Sequence, residues 1–239
     1  LLLGFDVPVL FVTKGLEPPD ALVEGAAREG VPLVSTGLGT GEFFRRIKPY
    51  LEEEFAPRTS IHGSLADVYG VGLLFVGRSG IGKSECVLDL VERGHRLVAD
   101  DVVMVSRRGN DVLIGRGHEL AKHHMEIRGV GIIDVQALFG IRATRQQKRI
   151  EVMVQLEEWS DQASYDRTGL DADTTEILGV ELPRVVIPLT PGKNITVIAE
   201  VIAMNHLLRY SGVETAQDFD REIRDRMRPV REYLEEDTE

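Results

Sequence analysis

Cysteine is all but missing from this chain. Cys86 stands alone in 239 residues, which excludes an intrachain disulfide and makes a reducing compartment, the cytoplasm, the expected setting. Aromatic residues are also scarce, at 6% with a single tryptophan, so aliphatic side chains must build the core. Positive charge is in deficit: 28 Lys and Arg face 39 Asp and Glu, a formal net charge of −11. A chain of that sign does not attract nucleic acid through its overall field. The nearest basic cluster, Arg142, Arg145, Lys148 and Arg149, reads as a solvated loop rather than a binding surface. No apolar run approaches the roughly 20 residues that cross a bilayer, so no membrane span is expected. The opening Leu1-Leu2-Leu3-Gly4-Phe5-Asp6-Val7-Pro8 has no basic region before it and is broken by Asp6 and Pro8, unlike a signal peptide. The chain does not start with Met, and further residues are expected upstream.

Glycine, by contrast, is placed with purpose. Gly77-Arg78-Ser79-Gly80-Ile81-Gly82-Lys83-Ser84 satisfies the phosphate-loop pattern G-x-x-x-x-G-K-[ST] at every fixed position. From average residue usage, about a 1% chance exists of such a match in a chain this long. Before it, Val71 to Val76 is an apolar segment with the length of a buried strand; after it, Glu85 to Arg93 has a helical pattern closed by Gly94. Strand, loop and helix N-terminus form an anion trap. Backbone N–H groups and the helix dipole face the phosphates, Lys83 adds a point charge, and the Ser84 hydroxyl can ligate Mg²⁺. Binding of a nucleoside triphosphate or another polyphosphate follows. Cys86 lies inside the helix as a small buried apolar residue.

The first part of the chain alternates strand and helix signals. A strand is expected over 8–13, a helix over 19–28 closed by Gly30, a strand over 31–36, and a helix over 42–55 with Phe43, Phe44, Ile47 and Leu51 on one face. This is a parallel α/β unit, too small to stand as a whole domain. Residues 1–56 are therefore read as the end of a small N-terminal α/β domain, and 57–239 as a second, larger domain. A linker is expected at Ala56-Pro57-Arg58-Thr59. Beyond it come apolar segments at 59–67 and 71–76 and a single strand over 97–105. A short strand follows at 111–115, then strands at 150–156, 184–189 and 195–201. Helix is expected over 201–210 and a charged surface helix over 218–239.

Within the segment 97–105, Asp100 and Asp101 are adjacent. Successive strand residues face opposite sides, so in a regular strand the two carboxylates serve different partners. Phosphoryl transfer to a hydroxyl needs an acid on the Mg²⁺ side and a base for the hydroxyl proton, and this pair can supply both. A surface Asp-Asp turn is the bland alternative, weakened by the apolar residues on both sides. Only one short helix, a turn and a strand fit between Lys83 and Asp100, so the acidic strand follows the phosphate helix directly. His118-Glu119 with His123-His124 lacks the H-E-x-x-H spacing and does not read as a zinc site.

Taken together, these segments resemble the HPr kinase/phosphorylase family. The resemblance runs from Ile61-His62-Gly63-Ser64-Leu65-Ala66-Asp67-Val68-Tyr69-Gly70, through the phosphate loop, to Glu92-Arg93-Gly94-His95-Arg96-Leu97-Val98-Ala99-Asp100-Asp101. Its most diagnostic piece is Met125-Glu126-Ile127-Arg128-Gly129-Val130-Gly131-Ile132-Ile133-Asp134-Val135. Tyr165-Asp166-Arg167 and Ile187-Pro188-Leu189-Thr190-Pro191-Gly192-Lys193-Asn194 are similar to two further family segments. The resemblance implies a mixed α/β fold: a P-loop kinase domain like that of the phosphoenolpyruvate carboxykinases, preceded by the end of a small α/β domain. It also implies a cytoplasmic hexamer that controls carbon catabolite repression. With Mg²⁺ and ATP, or pyrophosphate, the family phosphorylates a serine of the phosphocarrier HPr; in reverse, phosphate attacks the phosphoserine and yields pyrophosphate.

Carried over residue by residue, Gly77, Arg78, Ser79, Gly80, Ile81, Gly82, Lys83 and Ser84 hold the donor phosphates. Ser84 and Glu126 support Mg²⁺, Asp100 is the general base and Asp101 supports the metal side. Arg128 and Arg167 neutralise the transferring phosphate, and His62 lies beside the attacking group and tunes the base; without the resemblance, His62 reads as a structural histidine. Lys193 stands where many members carry Arg, replacing a bidentate fork by a point charge. Two other functions share the chemistry: a kinase of a small hydroxylated metabolite, and a nucleotide-binding regulator without catalysis.

Overall fold

Short apolar segments alternating with helices make the first compact unit of the chain, Leu1–Ala56. Strand β1 (Leu10–Val12) lies parallel to β2 (Leu33–Ser35), with α1 (Asp20–Glu29) between them in sequence and α2 (Thr40–Glu54) after them. Gly30 ends α1 in the left-handed region at φ 69, its N–H bonded to the carbonyls of Ala26 and Ala27, a conformation that glycine enters without steric cost. Helix α2 starts at Thr40, earlier than its apolar pattern indicates, and carries Pro49 inside it. Phe43 and Ile47 are half-buried, and the Phe43 ring lies 4.7 Å from that of Phe11; Phe44 is exposed. The computed structural model describes residues 6–160, 173–190, 192–213, 217–219 and 221–223.

The second unit, Pro57–Glu239, is built on strands. In order come β3 (Arg58–His62), β4 (Ser64–Val68), β5 (Val71–Val76), α3 (Lys83–Glu92), β6 (Arg96–Ala99), β7 (Val102–Arg108) and β8 (Val112–Gly117). They are followed by β9 (His124–Ile127), β10 (Gly131–Asp134), α4 (Val135–Phe139), β11 (Gln147–Arg149), β12 (Val152–Glu158), β13 (Thr174–Ile177), β14 (Val180–Leu189) and α5 (Ile195–Tyr210). A six-stranded sheet has the order β13-β14-β12-β5-β4-β6, a four-stranded sheet the order β11-β8-β7-β3, and β9 and β10 form a separate hairpin. Within the larger sheet β5, β12 and β14 run parallel, while β4 is antiparallel to both neighbours.

Side-chain alternation along β5 explains the layering. Val71, Leu73 and Phe75 join the core formed with Val87, Leu90 and Val91 of α3 and Ala199 and Ala203 of α5. Leu74 points the other way, into a second core with Val103 and Val105 of β7 and Leu113 of β8. Helices therefore cover one face of the large sheet and the four-stranded sheet covers the other. A strand buried on both faces carries an unbroken apolar run, as β5 does.

Three sequence expectations need correction. The single strand over 97–105 is two strands in two sheets, broken at Asp100-Asp101, where Asp101 takes φ 64. The segment 59–67 is likewise broken at Gly63, between β3 and β4. These breaks are one event. The antiparallel pair β3–β7 belongs to the small sheet and the pair β4–β6 to the large one, so both chains leave one sheet for the other side by side. The Gly63 N–H bonds the Asp101 carbonyl at 3.0 Å across this corner. Any Cβ at residue 63 would clash with the Phe75 carbonyl oxygen. The third correction concerns 195–201, which begins α5 instead of forming a strand. Ile and Val there favour strands on propensity, but Asn194 caps the helix by accepting from the Val197 N–H at 3.1 Å. Ala199 and Ala203 then bury one helical face.

Polar bonds fasten α5 to α3. The Thr196 hydroxyl donates to Asp89 at 2.7 Å. Buried Glu200 accepts a fork from Arg93, at 2.9 Å from Nε and 2.6 Å from Nη2, and lies 3.1 Å from His95 Nε2. The Tyr69 and His95 rings pack at 84° to each other, with centroids 4.6 Å apart. Arg145, expected in a solvated cluster, instead donates at 2.7 Å to the buried Asp67.

Two predictions follow from this framework. The Arg93 fork, with help from His95 and against the cost of burial, holds the Glu200 carboxyl near 2, well below its ordinary 4.5. A depressed carboxylate stabilises the fold above its ordinary value and loses that contribution as pH falls toward the folded one. The gap in urea midpoint between the wild type and Glu200→Gln should therefore be full at neutral pH and close progressively below about pH 4.5. Gly63→Ala should lower stability by about 2 kcal/mol or more, read as a drop in thermal midpoint.

Candidate active site

The phosphate loop follows β5 directly and ends where α3 begins. Its three glycines have left-handed or otherwise glycine-favouring φ angles: 150 at Gly77, 75 at Gly80 and 105 at Gly82. Two of them also permit close approach. A Cβ on Gly77 would lie 2.6 Å from the Leu156 carbonyl of β12, and one on Gly80 would lie 2.5 Å from Nη2 of Arg128. Gly82 is the N-cap of α3 and has no side chain to occupy the first-turn N–H groups, which leaves them as donors for an anion. Buried Lys83 donates to the carbonyls of Gly77 and Arg78, at 3.0 Å each. Arg78 pairs with Glu158 at the end of β12.

Asp100 closes the site from the sheet corner. Its Oδ1 accepts the Ser84 hydroxyl at 3.0 Å and the Ser64 hydroxyl at 2.5 Å. Burial pushes its carboxyl above the usual aspartate value, and the bonds from Ser64 and Ser84 pull the other way. Asp101 faces outward beside His62, whose Nδ1 lies 3.3 Å from Asp101 Oδ1; both side chains are more than half exposed. The left-handed backbone at Asp101 is what turns consecutive carboxylates to such different surroundings.

The β9–β10 hairpin supplies the third wall. Met125 is buried under β9 while Glu126, the next residue, is exposed, as alternation requires. The turn after Ile127, with Gly129 at φ 85 and Gly131 at φ 102, carries Arg128 onto Gly80. Lys83, Ser84, Asp100 and Arg128 thus gather around the loop. His62 joins Asp101 instead of Asp100, and Glu126 is bonded to neither Ser84 nor Asp100. Arg167 lies outside the described residues. Sequence reasoning missed Ser64, whose only signal is a hydroxyl in a strand where Leu65, Ala66 and Val68 are buried and apolar, and Glu158. The Lys193 ammonium donates to the Pro188 carbonyl at 2.7 Å.

Comparison with known proteins gives the same direction. Residues 1–51 match the family model for the HPr Serine kinase N terminus, and residues 53–223 match that for the HPr Serine kinase C-terminal domain. The HPr kinase/phosphorylase of Chloroherpeton thalassium is 52% identical over 219 residues, covering 92% of this chain and 64% of that protein. That of Geobacter sulfurreducens is 47% identical over 236 residues, covering 98% of this chain and 74% of that protein. The solved Hpr(Ser) kinase/phosphatase from Coxiella burnetii superposes with a TM-score of 0.60 at 32% identity, covering 67% of this chain and 98% of that one. The architecture is thus the mixed α/β P-loop fold shared with phosphoenolpyruvate carboxykinases. This chain spans about two thirds of the length of the first curated relatives it matches, 64% and 66%.

The α3 thiol offers a check on the packing behind the loop. Burial pushes Cys86 up to about 12, so thiolate is rare at pH 8. Iodoacetamide should leave Cys86 unmodified in the folded protein and alkylate it fully in denaturant, as read by intact mass. On this evidence of sequence and fold, the chain belongs to the HPr serine kinase family.

Proposed function

We propose that this chain carries the catalytic machinery of a protein-serine kinase/phosphorylase acting on HPr, with ATP or pyrophosphate as donor. The observation that supports it most is the bond between Asp100 and Ser84, which couples a buried acid to the phosphate loop. An acid on the Ser84 hydroxyl also suits Mg²⁺-nucleotide binding alone, so what argues against a regulator is kinship with proteins named as enzymes. Kinship with proteins named HPr kinase/phosphorylase favours a protein acceptor over a small metabolite. Catabolite repression control and a cytoplasmic setting belong to the same proposal. Among the described residues no helix is long and apolar enough to cross a membrane. Assembly of several copies, as a hexamer, is also part of it, supported by the exposed apolar row Val197, Val201, Met204 and Leu208 along α5.

The loop amides, Lys83 and Arg128 hold and neutralise the donor phosphates, with Arg167 assigned the same task by resemblance. Ser84 and Glu126, with Asp101 in support, offer hydroxyl and carboxylate oxygens, the hard donors that suit Mg²⁺. When bound there, Mg²⁺ would offset phosphate charge. Asp100 takes the proton as the serine oxygen attacks the terminal phosphorus and the bond to the leaving phosphate breaks. In the reverse direction a phosphate oxygen attacks the phosphoserine phosphorus, the serine O–P bond breaks, and protonated Asp100 returns its proton to that oxygen. The raised carboxyl of Asp100 suits a group that must serve in both protonation states. His62 orients the Asp101 carboxylate through its Nδ1, 3.3 Å from Oδ1.

The test is to incubate the chain with Mg²⁺-ATP and HPr, then add phosphate and assay pyrophosphate. Seryl phosphorylation followed by pyrophosphate release is expected. Absence of phosphorylated HPr overturns the proposal. Asp100→Asn should slow both directions by about 10²- to 10⁴-fold; loss of one direction alone would overturn the shared acid/base role.

A further inference from the structure

Arg78 is rooted in the phosphate loop, one residue past Gly77, and its carbonyl accepts from both the Lys83 ammonium and the Ile81 N–H. Its guanidinium pairs with the carboxylate of Glu158. The sheet accounts for that partner. Strand β12 runs parallel to β5, with Gln155 beside Val76, and a Cβ on Gly77 would lie 2.6 Å from the Leu156 carbonyl. Glu158, two residues further on, ends β12 next to the loop. On charge alone a carboxylate beside an anion site is unfavourable, since it repels the ligand. The pair is also easy to break. The two side chains are 64% and 62% exposed, and an ion pair in such surroundings shifts an equilibrium by only a few-fold. A phosphate chain is the better partner for the guanidinium, because it carries more negative charge and accepts the same two-pronged bonds.

We propose that Glu158 sets the affinity of the loop for its phosphate donor by competing with it for Arg78. The carboxylate holds the guanidinium until a phosphate chain displaces it, and Glu158 is then left to solvent. Breaking the pair offsets part of the attraction between phosphate and Arg78, so the site binds more weakly than its cations alone would make it. Glu158 is a positioning residue: it touches Arg78 and acts through it. The inference rests on the reading of Gly77 to Ser84 as the donor site, and it adds a residue outside the loop that tunes its strength.

The test is a titration of Mg²⁺-pyrophosphate into the full chain at physiological ionic strength, where repulsion beyond about 8 Å is screened. Glu158→Gln should lower the Kd about two- to fivefold, and Arg78→Gln should raise it. In the Arg78→Gln background, Glu158→Gln should change the Kd by less than about 1.5-fold, because the group it competes for is gone. The gain of affinity is the telling sign. A glutamate that merely held the loop in shape would weaken binding when lost. Unchanged or weaker binding in Glu158→Gln, or a gain that persists undiminished in the Arg78→Gln background, overturns the proposal. Pyrophosphate binding without phosphorylation of HPr sinks the kinase reading and leaves this competition standing. A wild-type chain that binds no pyrophosphate overturns the donor-site reading and this inference with it.

Discussion

Everything at this site hangs on one corner of the backbone, where two antiparallel chains pass together from the small sheet to the large one. The bond from the Gly63 N–H to the Asp101 carbonyl holds the chains in register as they turn. The absence of a side chain at Gly63 lets the corner lie against the Phe75 carbonyl. Since β5 continues into the phosphate loop, the corner and the loop share a strand neighbour, β4. Asp100 is set against Ser84 by the hydrogen bonding of the sheets, and the left-handed turn at Asp101 sends its carboxylate elsewhere. Acid placement here is a property of topology.

The second support is the pairing of α3 with α5. A helix that presents its N-terminus to phosphate needs its far end held, and the bonds donated by Thr196 to Asp89 and by Arg93 to Glu200 do this. The Glu200 carboxylate is buried at a desolvation cost that only well-formed bonds offset. It receives two nitrogens from Arg93 and a third contact from His95. The Arg128 hairpin then closes over Gly80 from outside the sheet, resting on the buried Met125.

Much of this was legible in the residues. The strand at 71–76 was plain because burial on both faces demands an unbroken apolar run, and the α3 C-terminus was plain because Gly94 ends it, with His95 bonding back to Leu90. The corner was not. Val98, Val103 and Val105 are all buried, so hydrophobicity runs straight through the change of sheet, with only the acidic pair to interrupt it. The start of α5 misled for another reason: Ile195, Val197 and Ile198 carry a strand preference that a cap and two tertiary anchors override. Ser64 was invisible because a serine in an apolar run looks the same whether its hydroxyl serves nothing or serves an acid 36 positions along the chain.

Lys83 shows what kind of event loop binding is. Its ammonium already spends two of its three N–H groups on the carbonyls of Gly77 and Arg78. A polyanion arriving at the loop meets a cation with existing partners, so association there is an exchange reaction: some carbonyl bonds loosen as phosphate bonds form. The free energy released is the difference between two bonded states, far smaller than the attraction of bare opposite charges. Such a cradle holds a phosphate chain less tightly than bare charges would.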